Sequence, residues 1–465
     1  MSNKPVKATM WFTLASIFQK GCALIMIPVY VRLMSTTQYG SYTLFQSWSG
    51  IVSIFTTLNI AAYVFNNCLI KDEKNTNRVT SIFMGLLLVL TALWLVVFTM
   101  FSDFWTNVFG MNFAYIVLIV LDGAFFVGID LWYAKERFDY KYKGVVVISV
   151  ITAISNLVIG IIAVLSSEDK AFAAVLSKVI IQGAIVLFLF ISSLKKSCVI
   201  FDKEIWKYVI TFNIPLIPHF LSTRILQQAD RIMIEKICGL EAAGIYGFAY
   251  KISDAMIIFN TAILSTVIPW TYKKLKNEEF NQISQRVNMT IILVGVLNLL
   301  LVLVTPEVVN IIGTQEYAEA INIMPYVSLS CFMMYVFNVF VNVTYYYEYN
   351  NLVVFASIGA AIVNILLNAI FIPRYGMNAA ALTTLFSYVL LAITHGLMSR
   401  YVLNRKGITD KVYDYKKIFY ICASVILIGL LLIRLYSNFF LRVVILLAIG
   451  IVAFLKRKDI LGYIR

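Results

Sequence analysis

Long apolar runs, separated by short polar connections, dominate the pattern of the chain. Each run is long enough for a helix that crosses the roughly 30 Å hydrocarbon core of a bilayer. The longest connection has about 19 residues, so no loop is large enough to hold a soluble domain. The pattern predicts fourteen membrane spans, at residues 9–33, 42–66, 79–101, 113–134, 144–165, 171–194, 208–233, 244–270, 287–305, 325–347, 352–372, 378–400, 417–436 and 438–455.

The composition excludes a soluble protein. Of the 465 residues, 61% are hydrophobic and only 13% are charged, and a soluble fold cannot bury so much apolar surface. We therefore expect an all-α integral membrane protein in which any chemistry lies inside the helical bundle. The sequence shows no metal-ligand spacing, no glycine-rich phosphate loop and no nucleophile beside a base. We expect no catalytic residue, no metal, no cofactor and no use of ATP by this chain, which argues against an enzyme.

Basic residues are distributed unevenly between the two sides of the predicted bundle. Of the 38 Lys and Arg residues, 27 lie on the side that holds the N-terminus and six on the opposite side. Since cytoplasmic loops carry an excess of Lys and Arg, both termini are predicted to be cytoplasmic. The net charge of +14 then reflects contacts with anionic membrane lipids, and nucleic acid need not be invoked as a partner.

One predicted span occurs twice, each time with a cation near its middle. The first copy runs Trp11–Leu33 and the second Thr211–Ile237, and a shift of 204 positions aligns them without a gap. A second match, at a shift of 208, aligns Val145–Asn156 with Val353–Asn364. Shared charged, glycine, serine and asparagine residues carry more weight than shared hydrophobic residues. The matched pairs are Lys20–Arg224, Arg32–Lys236, Gly40–Gly244, Tyr42–Tyr246, Ser149–Ser357, Ala153–Ala361 and Asn156–Asn364.

The two matches predict two six-helix lobes in parallel topology, related by an axis along the membrane normal. The first lobe covers residues 1–200 and the second residues 201–403. Residues 404–465 form two additional helices and a basic cytoplasmic tail. The segments Gln38–Tyr42 and Ala242–Tyr246 are expected to be equivalent turns.

Cations inside the predicted spans indicate an anion-binding cavity between the lobes. A basic residue in the middle of a membrane helix costs roughly 2.5–3.5 kcal/mol on insertion scales, so it persists where it faces water, an acid or an anion. Lys20 and Arg224 are the first candidates to bind an anionic substrate, and an ion pair with Asp122 is the alternative role. Lys178 is a further candidate, unless it packs against polar neighbours or snorkels. Lys251 either binds substrate or is neutralised by Asp254, one helical turn away.

Acidic residues and prolines inside the spans predict coupling and movement. Asp122 and Asp130 lie eight residues apart on one face of a span, where a carboxylate could bind a proton or a cation. Asp122 could instead be the counter-ion of Lys20 or Lys178. Hinges or gates are predicted at five further positions, with interface anchoring as the alternative for the last two: Pro28, Pro215, Pro218, Asp230 and Arg231.

Three segments together resemble one family of membrane proteins. Lys20-Gly21 with Arg32 to Tyr42 resembles the first helix and the following segment of polysaccharide exporters. The segment from Pro215 to Lys251 resembles the counterpart in their second half. The most specific segment is the asparagine-rich helix followed by a Pro-x-x-Gly turn and a small-residue helix, with Asn364, Asn368, Pro373, Gly376, Ala379 and Thr383. The chain thus resembles, over its first twelve spans, the O-antigen and capsule repeat-unit flippases of the multidrug/oligosaccharidyl-lipid/polysaccharide exporter superfamily.

This resemblance implies a V-shaped pair of lobes in the bacterial inner membrane. It implies transfer of undecaprenyl-diphosphate-linked oligosaccharides to the outer leaflet, in contact with other polysaccharide assembly proteins. Coupling to H+ or Na+ is left open, and the last two spans form a groove for the lipid tail in some members. The alternatives are a lipid II flippase and a cation-coupled multidrug exporter of the same superfamily. A membrane polysaccharide polymerase or ligase is more distant, because it needs a large outer loop that this sequence lacks.

Overall fold

The computed structural model describes residues 4–408 and 412–455, and over these ranges the chain is helical with no strand. The helices of the N-terminal half are α1 Lys4–Leu33, α2 Thr36–Thr57, α3 Val64–Lys71, α4 Thr76–Met100, α5 Ser102–Phe109, α6 Phe113–Phe138, α7 Tyr142–Leu165, α8 Lys170–Leu194, α9 Lys203–Asn213 and α10 Ile217–Cys238. Those that follow are α11 Leu240–Ser253, α12 Ala255–Lys276, α13 Phe280–Leu303, α14 Thr305–Ile312, α15 Ala320–Tyr346, α16 Asn350–Tyr375, α17 Met377–Arg405, α18 Tyr415–Ile433 and α19 Phe439–Leu455.

Twelve segments in the described ranges are long and apolar enough to cross a membrane. Each coincides with a predicted span, so the prediction of an all-α, multi-pass membrane protein is confirmed. The other two predicted spans, 42–66 and 438–455, fall on the more polar helix α2 and on the shorter helix α19.

The predicted span 42–66 is wrong as a single helix. Helix α2 ends at Thr57, and Leu58 and Asn59 adopt positive φ values of 50° and 52°, which break the helix before α3 begins. The Ser, Thr, Gly and Gln residues of α2 lower its hydropathy and obscure its bounds in the apolar pattern.

The turn predicted at Gln38–Tyr42 is also wrong, because these residues belong to the start of α2. The side chain of Ser35 accepts a hydrogen bond from the Gln38 N–H at 3.2 Å. The Gln38 side chain in turn accepts one from the Ser35 N–H at 3.4 Å, which completes a capping box. Helix α2 therefore starts at Thr36, six residues before the predicted span.

Contacts divide the chain into two compact units, Met1–Gly244 and Ile245–Arg465. In the first unit α1 packs along α7, α6 packs against α2, α4 and α8, and α10 packs against α2. The sequence repeat assigns α10 to the second lobe, and the lobe boundary near residue 200 stays a prediction.

The second unit is built around α15, the most buried of its long helices. Helix α15 packs against α13 and α17, α16 packs against α17, and α18 packs against α13. On α19, the buried Arg442 forms an ion pair with Glu307 of α14 at 2.8 Å. The Tyr436 hydroxyl, just before α19, donates to the Val302 carbonyl at 2.7 Å. These polar contacts fasten the start of α19 to the segment that joins α13 to α14.

The predicted hinge prolines differ in their local structure. Helix α1 continues through Pro28 without a break. Pro215 lies in a short 3-10 turn between α9 and α10, and Pro218 lies in the first turn of α10. Proline removes a backbone donor, so this span is interrupted where the sequence places two prolines three residues apart.

Gly40 and Gly244, which the repeat pairs in the sequence, make a reciprocal contact. A Cβ atom added to Gly40 would lie 2.0 Å from the Leu240 carbonyl oxygen. One added to Gly244 would lie 2.1 Å from the Thr36 carbonyl oxygen. Thr36 and Leu240 are themselves 204 positions apart. Mutual contacts of this kind are what two copies related by a two-fold axis would make, and the register of the repeat stays a prediction.

Candidate functional site

A polar cavity of about 260 Å³ lies in the first unit, between α1, α2, α7 and α8. This volume is slightly below the roughly 300–1,000 Å³ of sites that hold drug-sized molecules. The cavity can therefore enclose a head group or one part of a larger substrate. Its walls are formed by Gln19, Cys22, Ala23, Met26, Tyr30, Tyr42, Gln46, Thr152, Ala153, Asn156, Ala174, Ser177 and Lys178.

Close helix packing positions the aromatic wall of the cavity. The rings of Tyr30 and Tyr42 meet edge to face, with centroids 5.4 Å apart. A Cβ on Gly160 would lie 2.6 Å from the Tyr30 hydroxyl oxygen, so glycine at this position lets α7 approach Tyr30. The Gln19 amide donates to the Ser149 carbonyl at 3.5 Å, a long bond between α1 and α7.

An ion pair supplies the charge of the cavity. The Lys178 ammonium lies 2.7 Å from Asp122 Oδ1, and the Ser49 hydroxyl donates to Asp122 Oδ2 at 2.7 Å. The Asp122 side chain is 7% exposed, whereas that of Lys178 is 31% exposed and lines the cavity. An ammonium has three donors, so Lys178 can donate to a ligand while it remains paired.

Two amide oxygens of the cavity wall have no hydrogen-bond partner among the described residues. They are Gln46 Oε1 on α2 and Asn156 Oδ1 on α7, and both atoms are buried. A buried acceptor without a donor costs free energy, so a ligand hydroxyl or a bound water is expected beside each. Together with the Lys178 ammonium, the cavity offers acceptors for hydroxyl groups and a donor for an anion. This combination suits a sugar or a phosphate better than an apolar molecule.

The structure selects one of the two counter-ion roles that the sequence left open for Asp122. Its partner is Lys178, so the alternative pairing with Lys20 is wrong for this conformation. Of the four predicted substrate-binding cations, Lys178 lines the cavity described above and the other three do not.

Lys20 and Arg224 are not involved in ion pairs within the described ranges. Lys20 is half-buried on α1, next to the cavity residue Gln19, and Arg224 is exposed on α10.

Three further predicted site residues are half-buried. Asp130 lies on α6, eight residues or about two helical turns after Asp122. Lys251 lies near the end of α11, and Asp254 lies at the break between α11 and α12, both half-buried. The substrate-binding and coupling roles of these residues stay predictions.

Asp230 and Arg231 are buried rather than anchored in water at the interface. Their exposed fractions are 1% and 3%. The Arg231 guanidinium donates to the side-chain oxygen of Gln228, which also accepts from the Ser47 hydroxyl at 3.1 Å. This chain of hydrogen bonds links α10 to α2, so the expected anchoring at the membrane interface is wrong.

Sequence reasoning missed the uncharged residues of the site, because it selected charges. Gln46 and Ser49 lie three residues apart on α2 and face the cavity and Asp122, respectively. The available signal was the unusual density of Ser, Thr and Gln in α2, which marks a polar helix face inside a membrane protein. Asn156 was recognised in the repeat but was not assigned to a site.

Comparisons with known proteins agree with this architecture. A family model described as "Polysaccharide biosynthesis protein" matches residues 6–275. No curated protein sequence matches the chain significantly.

Several solved structures share the fold. The lipid II flippase MurJ, in an inward closed conformation, gives a TM-score of 0.69 at 13% identity, over 94% of this chain and 100% of that chain. An inward-facing MATE family multidrug resistance transporter of the MOP superfamily gives 0.65 at 12% identity, over 85% and 95%. A MOP superfamily transporter from Pyrococcus furiosus, described by the reverse polarity of its binding pocket, gives 0.56 at 11% identity, over 86% and 96%. At these identities the similarity establishes the fold.

Proposed function

The chain belongs to the polysaccharide biosynthesis protein family, and we propose that it is a flippase for undecaprenyl-diphosphate-linked oligosaccharides. It moves the repeat unit from the cytoplasmic to the outer leaflet by alternating access. The observation that carries this proposal is the polar cavity inside an apolar helical bundle, with the Lys178 ammonium and two amide oxygens that lack donors. A sugar diphosphate supplies both the anion and the hydroxyl groups that these atoms need.

The apolar part of such a substrate needs a separate surface. In the second unit, a groove of about 1050 Å³ runs between α16, α17 and α18. Its walls are almost entirely apolar, with Leu367, Phe371, Leu382, Phe386, Val389 and Ile426 among them. We expect a polyprenyl chain to lie in this groove, because a long hydrocarbon gains most from contact with apolar walls.

Lys20 and Arg224 are proposed to bind the diphosphate during transfer. Both are cations within membrane spans, and neither is neutralised by an ion pair in the described ranges. Arginine offers a planar fork for phosphate oxygens and lysine offers a compact point charge. Lys251 is proposed as a further contact to the substrate.

Coupling to an ion gradient is proposed to act through Asp122. Protonation of this carboxylate would remove its attraction for Lys178, whose ammonium would then be available to the diphosphate. Asp130 and Asp254 are further candidates for a proton or Na+. Transport driven by an imposed pH gradient should therefore be lost in Asp122→Asn, whereas dependence on Na+ alone would contradict a proton mechanism.

Movement of the lobes is proposed to use the interrupted span. Pro215 lies in the 3-10 turn between α9 and α10 and Pro218 lies in the first turn of α10, which is where bending costs the fewest hydrogen bonds. Pro28 is the proposed counterpart in α1. Asp230 and Arg231 are proposed to act as a gate, because both are buried and Arg231 is linked through Gln228 to Ser47 of α2.

The proposed location is the bacterial cytoplasmic membrane, with both termini in the cytoplasm. Two native cysteines test this orientation, since Cys198 follows α8 and Cys238 ends α10, and both are exposed. In spheroplasts, a membrane-impermeant maleimide should label Cys238 and leave Cys198 unlabelled until the membrane is permeabilised. The opposite labelling order would overturn the orientation.

A reconstituted transport assay tests the function. Proteoliposomes that contain a fluorescent undecaprenyl-diphosphate oligosaccharide should show transfer between leaflets, measured by the accessibility of the fluorophore to a membrane-impermeant quencher. The double variant Lys20→Gln/Arg224→Gln should slow transfer by at least about tenfold, the effect of losing roughly 1.4 kcal/mol of binding free energy. The exposed Lys143→Gln is the matched control and should transfer at the wild-type rate.

The same assay separates the proposal from a lipid II flippase. Lipid II has a lipid diphosphate too, so the cationic residues serve either substrate. Faster transfer of lipid II than of the oligosaccharide would favour that alternative. No transfer of either substrate by a folded wild-type protein would contradict the proposal.

A further inference from the structure

A second polar cavity, of about 670 Å³, lies in the second unit between α13, the end of α17 and the start of α18. It is separate from the cavity of the first unit and has no role in the proposed transfer. Its walls are Asn281, Ser284, Gln285, Asn288, Arg400, Tyr413, Asp414, Tyr415, Lys416 and Lys417. We name it the basic cavity.

The charge of the basic cavity is positive. Arg400, Lys416 and Lys417 contribute three cations, and none of them forms an ion pair within the described ranges. The only acidic residue of the wall is Asp414, whose side chain accepts a hydrogen bond from the Lys417 backbone N–H at 3.0 Å and caps α18. The cavity therefore has an excess of two positive charges.

One helix face supplies the neutral wall. The α13 residues have the spacing i, i+3, i+4 and i+7, which places their side chains on one face of the helix: Asn281, Ser284, Gln285 and Asn288. Asn288 is 5% exposed, and its Oδ1 atom has no hydrogen-bond partner among the described residues. A buried amide that lines a cavity without a partner indicates a polar ligand or water at this position.

The opposite wall is fixed by tyrosines. The buried Tyr413 donates its hydroxyl hydrogen to the Val339 carbonyl at 2.9 Å. Burial raises the pKa of Tyr413 well above its usual value, so this hydroxyl remains a donor. The Tyr415 hydroxyl lies 3.0 Å from Ser399 Oγ, and its ring lies 5.9 Å from the Arg400 guanidinium. These contacts hold the wall in place before a ligand binds.

The surroundings indicate which anion fits. The basic cavity lies where the membrane-spanning helices α17 and α18 end and begin, on the side of the bundle that carries most of the Lys and Arg residues. Directly beyond Lys417, the apolar side chains of Phe419 and Tyr420 are 62% and 67% exposed. A ligand with an anionic head group and apolar chains can contact both surfaces, whereas a free anion uses only the first.

We propose that the basic cavity binds the head group of an acidic glycerophospholipid, which connects the start of α18 to α13 and α17. The phosphate contacts Arg400, Lys416 and Lys417, and the glycerol and ester oxygens face the polar side of α13. The acyl chains lie along the exposed apolar side chains of α18. Such a lipid would stabilise the docking of the C-terminal helices without taking part in transfer.

Native mass spectrometry of the full-length protein tests this site. Phosphatidylglycerol should bind to the wild-type protein about tenfold or more tightly than phosphatidylcholine with the same chains. The triple variant Arg400→Gln/Lys416→Gln/Lys417→Gln should bind the two lipids equally. The single variant Lys417→Gln, at an exposed position, should lower the preference by about two- to fivefold without affecting folding. The variant Lys195→Gln/Lys196→Gln, which removes two exposed cations outside the cavity, should keep the wild-type preference.

Thermal unfolding in the presence of each lipid separates the lipid from other anions. Phosphatidylglycerol should raise the unfolding temperature of the wild-type protein, and inorganic phosphate alone should not. An equal shift with inorganic phosphate would overturn the proposal in favour of a free-anion site. Displacement of phosphatidylglycerol by an equimolar undecaprenyl phosphate would overturn it in favour of a substrate site. A triple variant that retains the lipid preference would contradict the site itself.

Discussion

The two copies of the repeated segment, Val145–Asn156 and Val353–Asn364, lie in different surroundings. Asn156, in the first copy, lines a cavity together with Lys178, the ion-pair partner of Asp122, and its side-chain oxygen has no partner in the described ranges. Asn364, in the second copy, is fully buried in a neutral network. It donates to the Ser387 hydroxyl at 3.2 Å and accepts from the Asn368 amide at 3.3 Å.

The difference indicates that the two copies have different roles, one in ligand contact and the other in helix packing. In the second copy the amides and hydroxyls satisfy one another, since Thr383 donates to Asn368 and Ser387 donates to the Thr383 carbonyl at 2.7 Å. This network fixes α16 against α17. In the first copy Ser149 donates to the Tyr133 hydroxyl at 3.0 Å, but the Asn156 side-chain oxygen has no partner in the described ranges. The charged Lys178 lines the same cavity. We infer that ligand chemistry belongs to the first copy and that the second copy uses the same motif for packing.

Breaking the ion pair should have the largest effect. Lys178→Gln leaves the Asp122 carboxylate buried without its cation, a change that costs roughly 3–5 kcal/mol in well-buried pairs. Since the Lys178 side chain is 31% exposed, we expect a loss of unfolding free energy near the lower end of that range. Transfer per folded molecule should fall as well, because a cavity donor is lost. Thermal unfolding and the leaflet-transfer assay measure the two quantities separately.

The double variant Lys178→Gln/Asp122→Asn distinguishes structure from function. Without a buried charge, it should regain the stability of the wild type, yet its transfer rate should stay low. Wild-type transfer by this variant would show that the pair is structural only. It would also remove the contrast between the two copies.

The apolar pattern predicts most of the fold because a helix of about 20 apolar residues is the general solution for crossing a bilayer. It fails at α2, which is rich in Ser and Thr. Their hydroxyl groups can donate hydrogen bonds to backbone carbonyls of the preceding turn, as Ser47 does to the Thr43 carbonyl at 3.0 Å, so a polar helix can lie inside the bundle. The choice between Lys20 and Lys178 as the partner of Asp122 depended on tertiary packing, which sequence spacing does not provide. The sequence does not assign Gln46 or Asn156 to a site, because an uncharged amide inside a span has no distinctive charge signal.

At the reciprocal contact of Gly40 and Gly244, substitutions in the two copies should have the same effect on stability. Gly40→Ala and Gly244→Ala each place a methyl group about 2 Å from a backbone oxygen of the other helix, so the helices must separate. We expect each change to lower the unfolding free energy by about 1–3 kcal/mol, as for other overpacked sites. Because the contact is mutual, the two losses should agree within about 0.5 kcal/mol, near the error of additivity tests.

Gly21→Ala is the matched control for the glycine pair. A Cβ on Gly21 would have no atom within 4 Å, and Gly21 lies in a helix, so alanine should leave stability unchanged or raise it slightly. A clearly unequal effect at Gly40 and Gly244 would contradict the 204-residue register.

The smallest effects are expected at the two asparagines, and here the copies should differ in kind. Asn364→Ala removes two hydrogen bonds and leaves Ser387 and Asn368 partly unsatisfied, so it should lower the unfolding free energy by about 1–2 kcal/mol. Transfer per folded molecule should hardly change. Asn156→Ala removes an oxygen that has no donor in the described ranges, so stability should hold while the apparent affinity for the sugar substrate falls by about two- to tenfold. Measured on the same preparations, unfolding temperature and substrate dependence of transfer should therefore separate the two variants completely. Loss of stability in Asn156→Ala, with no change in substrate dependence, would mean that both copies use the motif for packing alone.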